Sequence, residues 1–141
     1  MKNQKELIDK ILDESKNIAV VGISKNTEKD SYKVAWYLEN AGYNVIPVNP
    51  AVSEVLDKKC YPSLTDIPDD IQIDLVDIFR RPEFVAPIVD DAIKIGTKTI
   101  WMQDTIEDHE SAKKAADKGI QIIMNNCTMR EHKKRHHLTN S

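Results

Sequence analysis

Apolar residues recur along the chain in two alternating rhythms. Leu7, Ile8, Ile11 and Leu12 share one helical face at i, i+1, i+4 and i+5, which predicts an amphipathic helix packed on the domain's edge. Residues 17–22 then read Asn-Ile-Ala-Val-Val-Gly, an unbroken apolar run that suits a strand buried on both faces within a parallel sheet. Beyond a polar loop, Val34, Ala35, Leu38 and Ala41 return to helical spacing, with Ser31 placed as the N-cap and Gly42 as the stop. Residues 43–48 give a second strand. A variable stretch through Tyr61, Pro62, Ser63 and Leu64 leads to a third strand at 73–79. Pro82 suits the first turn of a helix whose stripe is Phe84, Ile88, Ala92 and Ile95 and whose stop is Gly96. Pro87 costs little if that helix starts at Glu83 or Phe84, and otherwise kinks it. Residues 99–102 form a fourth strand, a helix from about 107 to 118 stops at Gly119, and 120–124 form a fifth strand. A last helix opens at Thr128, whose hydroxyl and Glu131 three residues on have capping-box spacing.

Strands alternating with helices of this length call for right-handed βαβ units. The predicted fold class is therefore α/β: a Rossmann-like, doubly wound, five-stranded parallel sheet with helices on both faces and extra N- and C-terminal helices. No internal repeat or low-complexity linker divides the 141 residues, so residues 1–141 are read as one domain with its core at about 15–132.

Composition narrows the class without naming a function. Hydrophobic residues at 40% and charged residues at 30%, with 4 Gly and 6 Pro, exclude disordered, collagenous and disulfide-stapled chains. No apolar run approaches the ~20 residues of a membrane span, and the charged N-terminus lacks the form of a secretory signal. A cytoplasmic location is expected. Twenty cations against 23 anions give a net charge of −3, which offers no general attraction to nucleic acid or an anionic membrane. Residues 127–141 carry four cations and one anion, a basic tail read as a solvated surface helix. Cys60 and Cys127 belong to no CxxC pair and are expected as free thiols.

Ligands of such sheets bind beyond the carboxyl ends of the strands, near the point where strand order reverses. Those ends carry Gly22, Ile23, Ser24 and Lys25; Asn49 and Pro50; Arg80 and Arg81; Gln103 and Asp104; and Asn125, Asn126 and Cys127. Glycine admits close backbone approach, helix-start N–H groups accept phosphate oxygens, and guanidinium groups bind phosphate through paired hydrogen bonds. With Lys29 and Lys33 nearby, this set describes a site for a polyanionic nucleotide. The full GxGxxG pattern is absent, and Asn49 and Pro50 stand where an acid would grip an NAD ribose. No Walker ending, nucleophile triad, paired carboxylates or metal-ligand spacing is found; His132, His136 and His137 cluster without tight spacing. Trp101, inside a strand, is assigned to packing. Cys127 falls near a helix start, where the dipole lowers a thiol's pKa, and is the candidate reactive thiol.

In their order and spacing these residues resemble a known family. The likeness rests on 20–24 (Val-Val-Gly-Ile-Ser), 29–34 (Lys-Asp-Ser-Tyr-Lys-Val), Tyr37-Leu38, Gly42-Tyr43, 47–50 (Pro-Val-Asn-Pro), 61–64 (Tyr-Pro-Ser-Leu), 77–83 (Asp-Ile-Phe-Arg-Arg-Pro-Glu), 101–103 (Trp-Met-Gln) and Cys127. It spans about residues 15–132 and is similar to the standalone CoA-binding proteins that look like the CoA-binding domain of the succinyl-CoA synthetase α subunit. The resemblance implies coenzyme A, or an acyl-CoA, lying across the strand ends. Gly22, Ile23, Ser24 and Lys25 would meet the phosphates, Ser31 and Tyr32 would line the loop-to-helix junction, and Asn49 and Pro50 would close one side. Arg80 and Arg81 would follow the third strand and Gln103 the fourth. Two positions depart from the family: Asp104-Thr105 replaces the usual Leu-Gly, and the proline often found before the first-loop lysine is missing. A 141-residue chain has no room for the synthetase's phosphohistidine domain, so binding without catalysis is expected. The alternatives are a CoA-linked thiol or redox switch, or an acyl-transfer enzyme using Cys127, and an NAD(P)- or nucleotide-binding regulator. The expected partner is the small-molecule CoA ligand; a homodimer or a partner protein stays open.

Overall fold

The computed structural model describes the backbone of residues 3–139 and the side chains of residues 3–135. In chain order the elements are α1 (Gln4–Glu14), β1 (Asn17–Val21), α2 (Asp30–Asn40), β2 (Asn44–Val48), β3 (Glu54–Val55), β4 (Lys58–Lys59), β5 (Leu75–Ile78), α3 (Val85–Ile95), β6 (Thr99–Met102), α4 (His109–Ala116), β7 (Gln121–Ile123) and α5 (Thr128–Thr139). Five strands form one parallel sheet in the order β2-β1-β5-β6-β7. Helices cover both of its faces, and the α/β Rossmann-like architecture is the one the apolar rhythm predicts.

Alternation along β1 explains the two layers. Ala19 and Val21 join Ile46, Val76 and Ile100 beneath α3 and α4. Ile18 and Val20 point the other way, into a core with Ile11, Val34, Leu38 and Trp101 beneath α1 and α2. Burying both faces demands apolar residues at successive positions; β1 meets that demand along its buried length, and β5 does so except at the buried Asp77. Trp101 is fully buried, its indole N–H donating to the Asn126 carbonyl at 2.9 Å. Pro47 is tolerated because β2 is an edge strand.

Several local expectations shift. Ser31 is not the N-cap of α2: Lys29 holds that position without a side-chain bond, while the Ser31 hydroxyl accepts the Ser24 N–H at 3.0 Å. A 3-10 turn over Pro82–Phe84 precedes α3, so the buried stripe becomes Val85, Val89 and Ala92, and Phe84 is left exposed. Pro87 is then the third helical residue, where no intrahelical N–H bond is lost. Thr128 forms no capping box: its hydroxyl turns inward and donates to Asp77 at 2.9 Å. The stretch read as variable contains the β3–β4 hairpin, turned by Leu56 and Asp57 at positive φ.

Candidate functional site

Strand order reverses between β1 and β5, and the crevice beyond their carboxyl ends is where such sheets take ligands. Gly22 leaves β1 at φ +89° and is pinned by its N–H donating to the Val48 carbonyl at 2.8 Å. A Cβ at this position would overlap the Phe79 carbonyl oxygen, so the close approach of the two loops requires glycine. The following loop is braced by its own side chains. The Ser24 hydroxyl accepts the Asn26 N–H at 3.0 Å, the Asn26 side-chain oxygen accepts the Glu28 N–H at 2.9 Å, and Ser31 holds Ser24 from within α2. This bracing delivers the loop to the first turn of α2, whose N–H groups precede the first intrahelical bond, from Lys33 to Lys29.

A cleft of about 1040 Å³ opens at this point. Seven cationic side chains line it, against the two carboxylates of Asp30 and Asp104. The cations come from three places: Lys29 and Lys33 at α2, Arg80 and Arg81 after β5, and Arg130, Lys133 and Lys134 on α5. The basic tail read as a solvated face therefore turns part of its charge onto the cleft. Arg80 lies over the Phe84 ring at 4.6 Å, and Arg81 is 5.5 Å from the same ring. Arg130 grips Asp104 with two hydrogen bonds of 2.8 Å. Those bonds hold the Asp104 carboxyl below the usual carboxylate range and raise the pKa of Arg130. Asp104, the acid that departs from the family pattern, is thereby matched by a cation of the same cleft.

Beneath the cleft runs a buried polar network. The Gln103 amide donates to Asp77 at 2.5 Å and to the Thr128 hydroxyl at 2.9 Å, and Thr128 donates to the other Asp77 oxygen. Asp77 has no exposure at all. Burial pushes its pKa up to about 7, against the opposing pull of the Gln103 and Thr128 hydrogen bonds. Sequence reasoning missed this residue, although an acid at the centre of the apolar run 75–79 was the signal for it. Cys127 lines the cleft but is 8% exposed. Burial pushes its thiol pKa up; the N–H groups of Arg130 and Met129 pull it down by less, and Asp77 adds to the rise. The expected lowering at the helix start is thus outweighed by burial. Cys60 and Cys127 are both free thiols.

The cleft gathers Gly22, Ser24, Ser31, Arg80, Arg81, Gln103 and Cys127. Other candidates stand elsewhere. Ile23 is fully buried in the core, and Lys25 is exposed away from the lining. Tyr32 borders a neighbouring groove. Asn49 spends its side chain on the Ile23 carbonyl and the Ala51 N–H, at 2.8 and 2.9 Å. Pro50 lines a smaller cleft of about 230 Å³ that shares Gly22 and Arg80 with the large one. Among the described residues no group of His, Cys, Asp or Glu is arranged to hold a metal, and no helix is long and apolar enough to cross a membrane. His136 and His137 lie outside the residues whose side chains are described.

Comparison with known proteins gives a consistent set. The family described as the CoA binding domain matches residues 16–133. The protein YneT of Bacillus subtilis is 36% identical over 120 residues, covering 85% of this chain and 87% of that protein. The ADP-forming acetate–CoA ligase II of Archaeoglobus fulgidus is 34% identical over 83 residues, covering 56% of this chain and 12% of the ligase. A protein of known structure from Pyrococcus horikoshii OT3 superposes with a TM-score of 0.89 at 44% identity, covering 94% of this chain and 92% of that one.

Proposed function

Because the chain belongs to the CoA-binding domain family, we propose that it binds coenzyme A, or an acyl-CoA thioester, across the strand ends and carries out no reaction of its own. The supporting observation is the convergence of seven cations on one cleft in a chain whose net charge is −3. Gly22, whose missing Cβ lets the loop after β1 pack against the Phe79 carbonyl, brings Arg80 close to that loop. In this reading the phosphates lie against Gly22, Ser24 and the first turn of α2, where N–H groups and the helix dipole favour anions. Arg80 and Arg81 supply forked donors. The small cleft beside Pro50, reached past Gly22 and Arg80, takes the flat base. The pantetheine arm then runs over Gln103, which serves as a positioning residue.

A thermal-shift titration tests the proposal. A ligand that binds only the native state stabilises it by RT ln(1 + [L]/Kd), about 2.7 kcal/mol at a hundredfold excess. CoA should therefore raise Tm by several degrees, while Arg80→Ala and Ser24→Asp should each shrink the rise. Unchanged melting in millimolar CoA and acetyl-CoA would sink the proposal. Competition in the same assay ranks NAD(P), the nucleotide alternative, which lacks an acid at the end of β2.

A second reading draws on the place of Cys127 in the cleft lining. Its thiolate would attack one sulfur of CoA disulfide, forming a Cys127–CoA mixed disulfide and releasing one CoA thiolate, which takes up a proton. Intact mass decides it: an adduct that survives Cys127→Ser, or none at all, removes this reading. The upward push of burial on the thiol makes it the weaker of the two.

A further inference from the structure

A second groove, of about 410 Å³, opens from the cleft between the outer faces of α2 and α5. Tyr32, Trp36 and Tyr37 line it from one helix and Met129 from the other. Lys33, Met129 and Lys133 belong to both the groove and the main cleft. The groove and the small cleft beside Pro50 share no lining residue, so the three spaces form a series with the cation-rich cleft in the middle. Trp36 is 52% exposed, one of two large apolar side chains left exposed among the described residues. The Tyr37 hydroxyl is engaged with His132 Nδ1 at 2.7 Å, and Lys133 lies 5.3 Å from the Tyr37 ring.

We infer that this groove receives the acyl group of an arylacyl-CoA, a deepening that rests on the CoA reading above. A ligand whose base occupies the small cleft and whose phosphates occupy the middle has its thioester end left for the third space. That space is walled by an indole, two phenol rings and a thioether. Rings pair with rings in offset or edge-on geometry, and sulfur packs well against them. An acetyl group is too small to use such walls, whereas an aryl group meets several at once. The lysine stems at the shared edge add apolar surface while their ammonium groups stay in water.

The test is equilibrium binding of CoA, acetyl-CoA and phenylacetyl-CoA to the full chain and to Trp36→Ala. The wild type should bind phenylacetyl-CoA about tenfold more tightly than acetyl-CoA, as one or two aromatic contacts allow. In Trp36→Ala the ratio should fall to about twofold, with acetyl-CoA affinity unchanged. Indole emission supplies a second readout: with Trp101 fully buried, phenylacetyl-CoA should perturb Trp36 and acetyl-CoA should not. Equal wild-type affinities for the two thioesters, or an aryl preference that survives Trp36→Ala, would overturn the inference while leaving CoA binding intact. Equal weakening of all three ligands would assign the groove to the CoA base and likewise overturn it. Loss of a dimer in Trp36→Ala, seen by sedimentation, would reassign the groove to a second copy of the chain. Failure of every CoA species to bind would overturn the parent reading and this one together.

Discussion

Asp77 occupies the centre of β5 with both carboxyl oxygens claimed, one by Gln103 and the other by Thr128. Taking a carboxylate wholly out of water costs more than two neutral donors return, so the group holds its proton up to about pH 7. The unfolded chain releases that proton near 4. Between these values the native state binds more protons than the unfolded state, so this group makes stability fall as pH rises through the window, with no further loss above it. Asp77→Asn has no such proton to hold. The stability difference between wild type and Asp77→Asn, from denaturant titrations at several pH values, should therefore move steadily against the wild type from about pH 4 to 7. A difference that stays constant with pH would show that Asp77 titrates normally. The residue was legible as an anomaly, an acid within an apolar run. Its partners were not, because Gln103 and Thr128 stand 26 and 51 positions away.

At the scale of elements, α5 forms one wall of the cleft. Its start is bonded to the sheet through Thr128, its middle to α2 through Tyr37 and His132, and Arg135 pairs with Asp9 and Asp13 of α1. Thr128→Val keeps the shape but leaves one buried Asp77 oxygen without its donor, at a cost of about 1–3 kcal/mol. Amide exchange should speed up in the first turns of α5 while β1 and β5 stay protected, with a matching loss in Tm. An unchanged Tm would show that the hydroxyl carries no such load. Periodicity identified each of the five main strands and the helices between them, since that signal lies within a few residues. It misplaced the stripe of α3 because the Pro82–Phe84 turn consumes residues before the α-helix begins. It missed the β3–β4 hairpin because Leu56 and Asp57 adopt positive φ without the Asn-Gly or Asp-Gly pair that marks such turns.

Across the whole molecule, charge is distributed against its sign. The chain is net acidic, yet a cation-rich cleft lies along the sheet's carboxyl edge, so local field rather than net charge would attract a polyanion. CoA affinity should then fall roughly tenfold as NaCl rises from about 0.05 to 0.5 M, because solvent-exposed cations are screened over that range. Salt-independent affinity, measured by calorimetry, would place the phosphates away from these cations. The apolar rhythm by itself determined the α/β class and the burial of the sheet on both faces, since each follows from the spacing of neighbours along the chain; the strand ends as the candidate site follow from that class. Tertiary structure alone decided which strand-end residues converge. Gly22, Ser24, Arg80 and Gln103 meet at the cleft while Ile23, Lys25 and Asn49 turn away. It also decided that Arg130 answers Asp104 and that burial raises the Cys127 thiol. Strand order and helix rotation set those outcomes, and they join groups too distant in the chain for any local pattern to register.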